Sequence, residues 1–331
     1  MDSLVQGRGA VRKRLLFLFI FGWILLLIGD RVDELRVYQG ATLAMYTIGL
    51  ASIVLLTGYS GQVSLGNGAL MAVGGYSAAL TLSNFSVPVW VAFLVAIAAA
   101  SIFGAILGYA AARLSGPYLA GTTLALAVGM PALANQFEFL GGEQGIIFDI
   151  GMPPARFGDE FTLYKWYFWI AALTALIALY FTSNVLYSRF GRTWRAVRGN
   201  ALAAELAGVN AGRTKVLAFT VSSALAGLAG AVLAMTISLV SPSAFSLALS
   251  FSLVTGAVLA GISSLPGVML GAVILVAIPE IADVVAHRLG DSENVTTYLP
   301  SLIVSVLLIL SVIFTPNGPG ENLRKHRKKH A

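Results

Sequence analysis

Residues 189–215 read RFGRTWRAVRGNALAAELAGVNAGRTK: six basic side chains and one acid, Glu205, in a chain that is otherwise almost uniformly apolar. Long uncharged runs lie on both sides of this island. Arginines at that density cannot sit in hydrocarbon, so the island marks a segment outside the lipid between membrane spans. Its charge bias assigns it to the cytoplasmic side. The stretch is rich in Ala and Gly and carries helix caps, unlike a polar linker, so it is a docking surface for a cytoplasmic partner or an interfacial helix.

The rest of the composition agrees. The 331 residues are 57% hydrophobic and 11% charged, with a mean hydropathy of +0.83. A soluble domain carries about a quarter charged residues, so an ordinary globular class is excluded. The 35 glycines suit close helix packing in lipid. Segments of about ten alternating residues, the mark of a membrane β-barrel, are absent. The chain therefore reads as an all-α polytopic membrane protein, a single transmembrane domain over residues 1–331. A net charge of +6 raises nucleic-acid binding, but the cations lie in flanks and loops, as membrane orientation requires. There is no cysteine, and of the three histidines (His287, His326, His330) two fall in the C-terminal tail, which leaves no metal cluster.

Working outward from the island, Arg8, Arg12, Lys13 and Arg14 precede an apolar run at 15–29 that lacks a small-x-small cleavage pattern, so it is read as an uncleaved first span. Further spans are expected at 38–57, 62–82, 88–112, 117–139 and 165–183, then at 215–240, 248–265, 267–287 and 298–315. Each approaches the roughly 20 residues needed to cross the hydrocarbon. With about ten crossings and both termini cytoplasmic, Arg113, a cytoplasmic segment at 184–214 and a basic tail at 316–331 all fall inside. The acid-bearing loops at 30–36, 140–165 and 288–297 fall outside. An odd count would strand either the island or the tail on the wrong side.

Two regions are poor as simple spans. GYSGQVSLGNGALMAVGG (58–75) holds six glycines with Gln62, Ser64 and Asn67, and VTGAVLAGISSLPGVMLG (254–271) holds four glycines and Pro266. Backbone breaks at membrane depth survive only where protein or a wet cavity satisfies the freed polar groups. Their comparable placement suggests inverted or repeated halves with broken Gly-rich helices, as in many transporters. Tight glycine-mediated helix packing explains the same composition. For the second region packing is the favoured account.

No catalytic constellation is present. None of the six lysines follows a glycine, so a GxxxxGK[ST] phosphate loop is absent, as are GxSxG and HExxH. Any nucleotide chemistry must come from another polypeptide. Glu138, Glu280 and Asp283 are the acids nearest the spans, and their positions near span ends make solvated carboxylates at the outer mouth the simpler account. Within the island, Thr193–Arg198 forms a short helical piece ending near Gly199. Asn200 caps a second piece, Ala201–Ala207, closed by Gly208. An interfacial helix, with its arginines on lipid phosphates and Trp194 in the headgroup belt, competes with protein docking on these residues alone.

GRTWRAVRGNALAAELAGVNAGRTKVLAF, followed by SSALAGLAGAVLA, resembles the coupling segment of LivM-type permeases of bacterial branched-chain amino acid ABC importers. GYSGQVSLGNGALMAVGGYSAAL, RLSGPYLAGTTLALA with LGGEQGI, and AGISSLPGVMLGAVI resemble further stretches of that family in the same order. The resemblance covers residues 38–315. The end departs from it, reading GISSLPGVMLG and FTPNGPGENL. It implies a permease subunit in the bacterial inner membrane that works with a second homologous permease, two cytoplasmic ATPase subunits and an extracytoplasmic solute-binding protein. No cofactor is then expected in this chain, the ATP being held by the partner ATPase. The implied coupling residues are Arg192, Arg195, Arg198, Ala203, Ala204, Glu205 and Gly208. Gln62, Ser64, Asn67 and Tyr76 are expected to line the path, offering weak polar contacts to a zwitterion. The alternatives are a urea or short-chain amide ABC permease, which shares most of these motifs, and an ion-coupled carrier working alone.

Overall fold

The apolar runs become helices because a spanning segment must satisfy its backbone hydrogen bonds internally. The computed structural model describes residues 33–114, 116–154 and 161–289, with isolated helical positions between 299 and 310. The helices are α1 (Glu34–Ile53, extended by a π turn, Val54–Tyr59), α2 (Asn67–Asn84), α3 (Val89–Arg113), α4 (Pro117–Gln136) and α5 (Leu163–Tyr187). Two short helices follow, α6 (Arg189–Gly199) and α7 (Ala201–Leu206), then α8 (Ala211–Ile237), α9 (Leu247–Ala260) and α10 (Gly267–Leu289). Strands β1 (Ile146–Ile147) and β2 (Leu239–Val240) form an antiparallel clip that ties the α4–α5 connection to the end of α8.

Six helical stretches among the described residues are long and apolar enough to cross a membrane: Glu34–Tyr59, Val89–Arg113, Tyr118–Gln136, Leu163–Tyr187, Ala211–Ile237 and Pro242–Ala260. Each coincides with an expected span. The expected span at 267–287 is a helix whose apolar part is shorter, Gly267–Ala282. The span expected at 62–82 is corrected: residues 61–66 are irregular and the helix begins only at Asn67. The expected first span at 15–29, most of the last at 298–315, most of the loop at 288–297 and the tail at 316–331 lie outside the described residues.

Helix α8 is the axis of the bundle, packed against α1, α2 and α3. Small residues permit this, since lipid tails drive no association and backbone proximity must supply the dispersion contacts. A methyl on Gly74 of α2 would overlap the backbone of Gly227 of α8, and one on Gly108 of α3 would come within 3.2 Å of the Val216 backbone. By contrast, only 22% of the apolar window of α4 is buried within the chain, against 72% for α1, so α4 presents most of its surface outward. The expected packing role of the second Gly-rich region is seen at Gly256, where a methyl would meet Leu275 Cδ1 at 2.6 Å and Leu50 Cδ2 at 3.0 Å.

Candidate functional site

The island forms a capped helical hairpin at one end of the bundle. Ser188 caps α6 by accepting from Phe190 N at 3.1 Å, Asn200 caps α7 by accepting from Ala203 N at 3.0 Å, and Asn210 caps α8 by accepting from Arg213 N at 2.8 Å. These are the residue types that satisfy orphan amides at helix starts. Gly208, with φ +85°, closes α7 in the left-handed conformation that glycine adopts most readily. The first piece starts earlier than its sequence reading, at Arg189 rather than Thr193, and the second ends at Leu206.

Trp194 corrects the interfacial alternative. It is 1% exposed, and its indole N–H donates to the Thr214 carbonyl at 3.1 Å, pinning α6 to the first turn of α8. A ring in that position is not in a headgroup belt. Ala204, Val197 and Ala211 form a second small core beneath α7. Ala204 therefore faces inward, whereas Ala203 and Glu205 are exposed. Leu202 and Leu206, 67% and 84% exposed, flank Glu205 on the same short helix. Residues four apart share a helix face, so the outer face of α7 is two leucines around one carboxylate. Those leucines went unnoticed in the sequence, although the i, i+4 spacing beside a known acid was there to be read.

The arginines turn toward their own chain. Arg192 donates to the Tyr187 carbonyl at 3.3 Å and Arg195 to the Gly191 carbonyl at 3.1 Å. Arg195 also lies 5.7 Å from the centroid of the Tyr59 ring. Arg198 donates to the Gly58 carbonyl and to Ser263 Oγ.

The irregular segment 61–66 folds back into the bundle. Asn67 Nδ2 donates to Ser52 Oγ at 2.6 Å, and Ser52 lies seven residues before the end of the π turn at Tyr59. At the helical rise per residue the chain has returned about 10 Å inward before α2 begins. Three more hydroxyls gather around this return, one on the segment, one on the first turn of α2 and one on α1. Thr123 of α4 accepts from Leu65 N at 3.0 Å, Ser250 of α9 accepts from Gly68 N at 3.0 Å, and Ser222 of α8 donates to the Ser52 carbonyl at 3.0 Å. Gln62 Nε2 donates to Ser60 Oγ at 2.7 Å and to the Lys215 carbonyl at 3.2 Å.

Gln62, Ser64 and Asn67 thus gather at one break, all buried, while Tyr76 lies farther along α2 beside Phe245, ring centroids 6.2 Å apart. The Gln62 Oε1, Asn67 Oδ1 and Tyr76 hydroxyl atoms are buried without a hydrogen-bond partner, as are Thr47 Oγ1 and Ser223 Oγ. None of the four expected path residues lines the cleft of about 460 Å³ bounded by Val128, Pro131, Asn135, Glu143, Pro242 and Leu247. Ser52, Thr123, Ser222 and Ser250 were not singled out from the sequence, since a lone hydroxyl in an apolar helix usually bonds its own backbone. Among the acids near span ends, Glu138 is exposed in a 3₁₀ turn, and exposed Glu280 accepts from Gln39 Nε2. The side chain of Asp283 lies outside the described residues.

The class that this architecture defines is a polytopic helical membrane protein with a capped helical hairpin at one end and a polar, buried helix break beside it. The sequence profile of the family described as "Branched-chain amino acid transport system / permease component" matches residues 37–312, and the chain belongs to that family. It is similar to the high-affinity branched-chain amino acid transport system permease protein LivM of Escherichia coli K12, with 30% identity over 304 residues, 84% of this chain and 68% of that protein. It is similar to BraD, the corresponding permease protein of Pseudomonas aeruginosa, with 29% identity over 296 residues, 84% of this chain and 91% of that one. LivH of Salmonella typhimurium is 30% identical over 191 residues, covering 58% of this chain and 54% of its own. No solved structure matches.

Proposed function

We propose that this chain is a transmembrane permease subunit of an ATP-driven importer in the bacterial inner membrane, translocating branched-chain or other hydrophobic amino acids. Family membership over residues 37–312 is the observation that carries the reading. The names of LivM, BraD and LivH, which specify branched-chain amino acid transport, support the substrate class. ATP is bound and hydrolysed by two separate cytoplasmic ATPase subunits, because this chain has no phosphate loop of its own. A second homologous permease and an extracytoplasmic binding protein complete the complex. The outward face of α4 suits the second permease, with so little of it buried within the chain. The chain makes about ten crossings with both termini cytoplasmic, which the positive-inside distribution supports.

In this reading α7 enters a groove on the ATPase. The exposed Leu202, Ala203, Glu205 and Leu206 make the contact, while Ala204 and Gly208 hold the helix against its own chain. The path runs past Gln62, Ser64, Asn67 and Tyr76. The unmatched oxygens of Gln62, Asn67 and Tyr76 support this, because each buried unsatisfied group costs about 1–3 kcal/mol and favours a second state in which cargo or water supplies the partner. The absence of a buried carboxylate at the break suits a route that must release its cargo.

Glu205→Lys tests the docking. The variant is expected to abolish uptake and release the ATPase subunits while leaving the melting temperature of the permease unchanged, since Glu205 is exposed. Wild-type co-purification and uptake would refute the contact. Reconstitution separates the reading from a lone carrier: uptake by the purified chain on an ion gradient, without an ATPase, would overturn it.

A further inference from the structure

Arg198 joins three segments that are far apart in the sequence. It stands in the last turn of α6, just before the corner at Asn200 where α7 begins. Its guanidinium donates to the carbonyl of Gly58, in the π turn that ends α1, and at 3.1 Å to Ser263 Oγ, in the turn between α9 and α10. Ser263 Oγ donates to the same Gly58 carbonyl at 3.2 Å, so the three groups close a triangle. The stem of Arg198 lies on Gly61: a Cβ there would come within 2.7 Å of Arg198 Cγ, and the φ of +76° disfavours a side chain as well. Gly58 is packed as tightly on the other side, where a Cβ would overlap the Ile262 carbonyl. Both Gly-rich breaks are therefore fitted to one side chain of the island.

The chemistry explains why that side chain is arginine. Both acceptors are neutral oxygens, so the bonds are directional contacts and not a charge pair. One terminal guanidinium nitrogen, Nη1, donates to both, held in place by a planar group whose stem lies on Gly61, whereas an ammonium is a point charge on a more flexible stem. The neighbouring geometry supplies a lever. Trp194 fixes the middle of α6 to α8 through the Thr214 carbonyl, and Arg198, one turn on, holds the end nearer α7. The π turn at 54–59 is an over-wide helical turn of the kind that concentrates at functional sites, and it leads straight into the segment carrying Gln62, Ser64 and Asn67.

We propose that Arg198 is a positioning residue for transport: it transmits displacement of the α6–α7 hairpin simultaneously to the end of α1 and to the α9–α10 turn, and it does not contact the ATPase. The proposal rests on the reading that α7 docks on that ATPase. It assigns the island two separate jobs. Glu205 and its flanking leucines face the partner, and Arg198, although partly exposed, bonds to the two breaks.

The test uses the whole complex, reconstituted with its ATPase, second permease and binding protein, and reads uptake per ATP hydrolysed. Arg198→Ala is expected to keep the ATPase subunits bound at wild-type ratio while uptake per ATP falls about tenfold, within the usual range of coupling between sites. Arg198→Lys, whose ammonium sits on a shorter and more flexible stem, and Ser263→Ala, which removes one acceptor, are expected to show smaller losses in the same ratio. The chain contains no cysteine, so Arg198→Cys with Ser263→Cys can be joined by a short bismaleimide without background. Linking is expected to restore uptake per ATP relative to the same unlinked protein, a comparison that a folding defect cannot mimic. Unchanged uptake per ATP in Arg198→Ala, or no recovery on linking, overturns the proposal. Loss of the ATPase in Arg198→Ala would make Arg198 a docking contact and overturn it as well. Failure of the docking reading itself shows separately, as retained ATPase in Glu205→Lys.

Discussion

The segment Gly58–Gly75 turns back into the bundle and starts a helix there, whereas Val254–Gly271 packs two consecutive helices and joins them through a short turn. Both are rich in glycine, and both touch Arg198 at the island end. What separates them is the polar side chains between the glycines. Gln62 and Asn67 find partners on other helices, at Lys215 and Ser52, while Ser64 accepts locally from Gly66 N, and the distant partners allow backbone to run irregularly through the interior. Ser264 in the second segment is satisfied locally, its amide donating to the Gly261 carbonyl at 2.7 Å and its hydroxyl accepting from Gly267 N. Glycine content marks close approach in both. In the first, Gln62 and Asn67 reach other helices from inside the bundle, whereas in the second the one distant contact, Ser263 to Gly58 and Arg198, lies in the turn itself.

The same end of the bundle holds both breaks. Arg198 meets Gly58 of one and Ser263 of the other there.

Three substitutions sharpen the contrast, taken from the largest expected effect downward. Gly74→Ala puts a methyl against the Gly227 backbone, which has no side chain to move aside. A loss of about 3 kcal/mol in unfolding free energy is expected in detergent, at the upper end for overpacking. Wild-type stability would mean that α2 and α8 are not in backbone contact. Asn67→Ala removes the bond to Ser52 at the start of α2. It should cost about 1 kcal/mol of stability yet reduce uptake by more than that loss explains. If uptake and stability fall in proportion, the break is structural only. Gly256→Ala meets side chains alone, Leu275 at Cδ1 and Cγ and Leu50 at Cδ2, which can shift, and alanine gains up to about 1 kcal/mol of helix propensity, so the net change should stay within about 1 kcal/mol. A large loss in a melting experiment would show that the second segment is as tightly constrained as the first.

Much of this was legible beforehand because it is local. Six apolar runs became spanning-length helices, and the caps at Asn200 and Gly208 formed as their residue types require. The short helix α7 was placed correctly in outline, but not its outward face. Ala204 was grouped with Ala203 and Glu205, although only a view of α7 against Val197 and Ala211 tells which alanine is hidden. The start of α2 was placed too early because the hydropathy of 62–82 does not register a loop tied by Thr123 of α4 and followed by a helix start held by Ser52 and Ser250.

The sequence by itself determined the class of protein, six of its spans, the caps and the resemblance, all of which depend on residue type and short spacing. Tertiary structure alone decided that Trp194 is an anchor to α8, that Arg198 bridges Gly58 and Ser263, and that Asn67 pairs with Ser52 inside the bundle. Those pairings join residues brought together only by helix packing. Which small-residue seams interlock is a collective property of the whole bundle, and no single helix carries it.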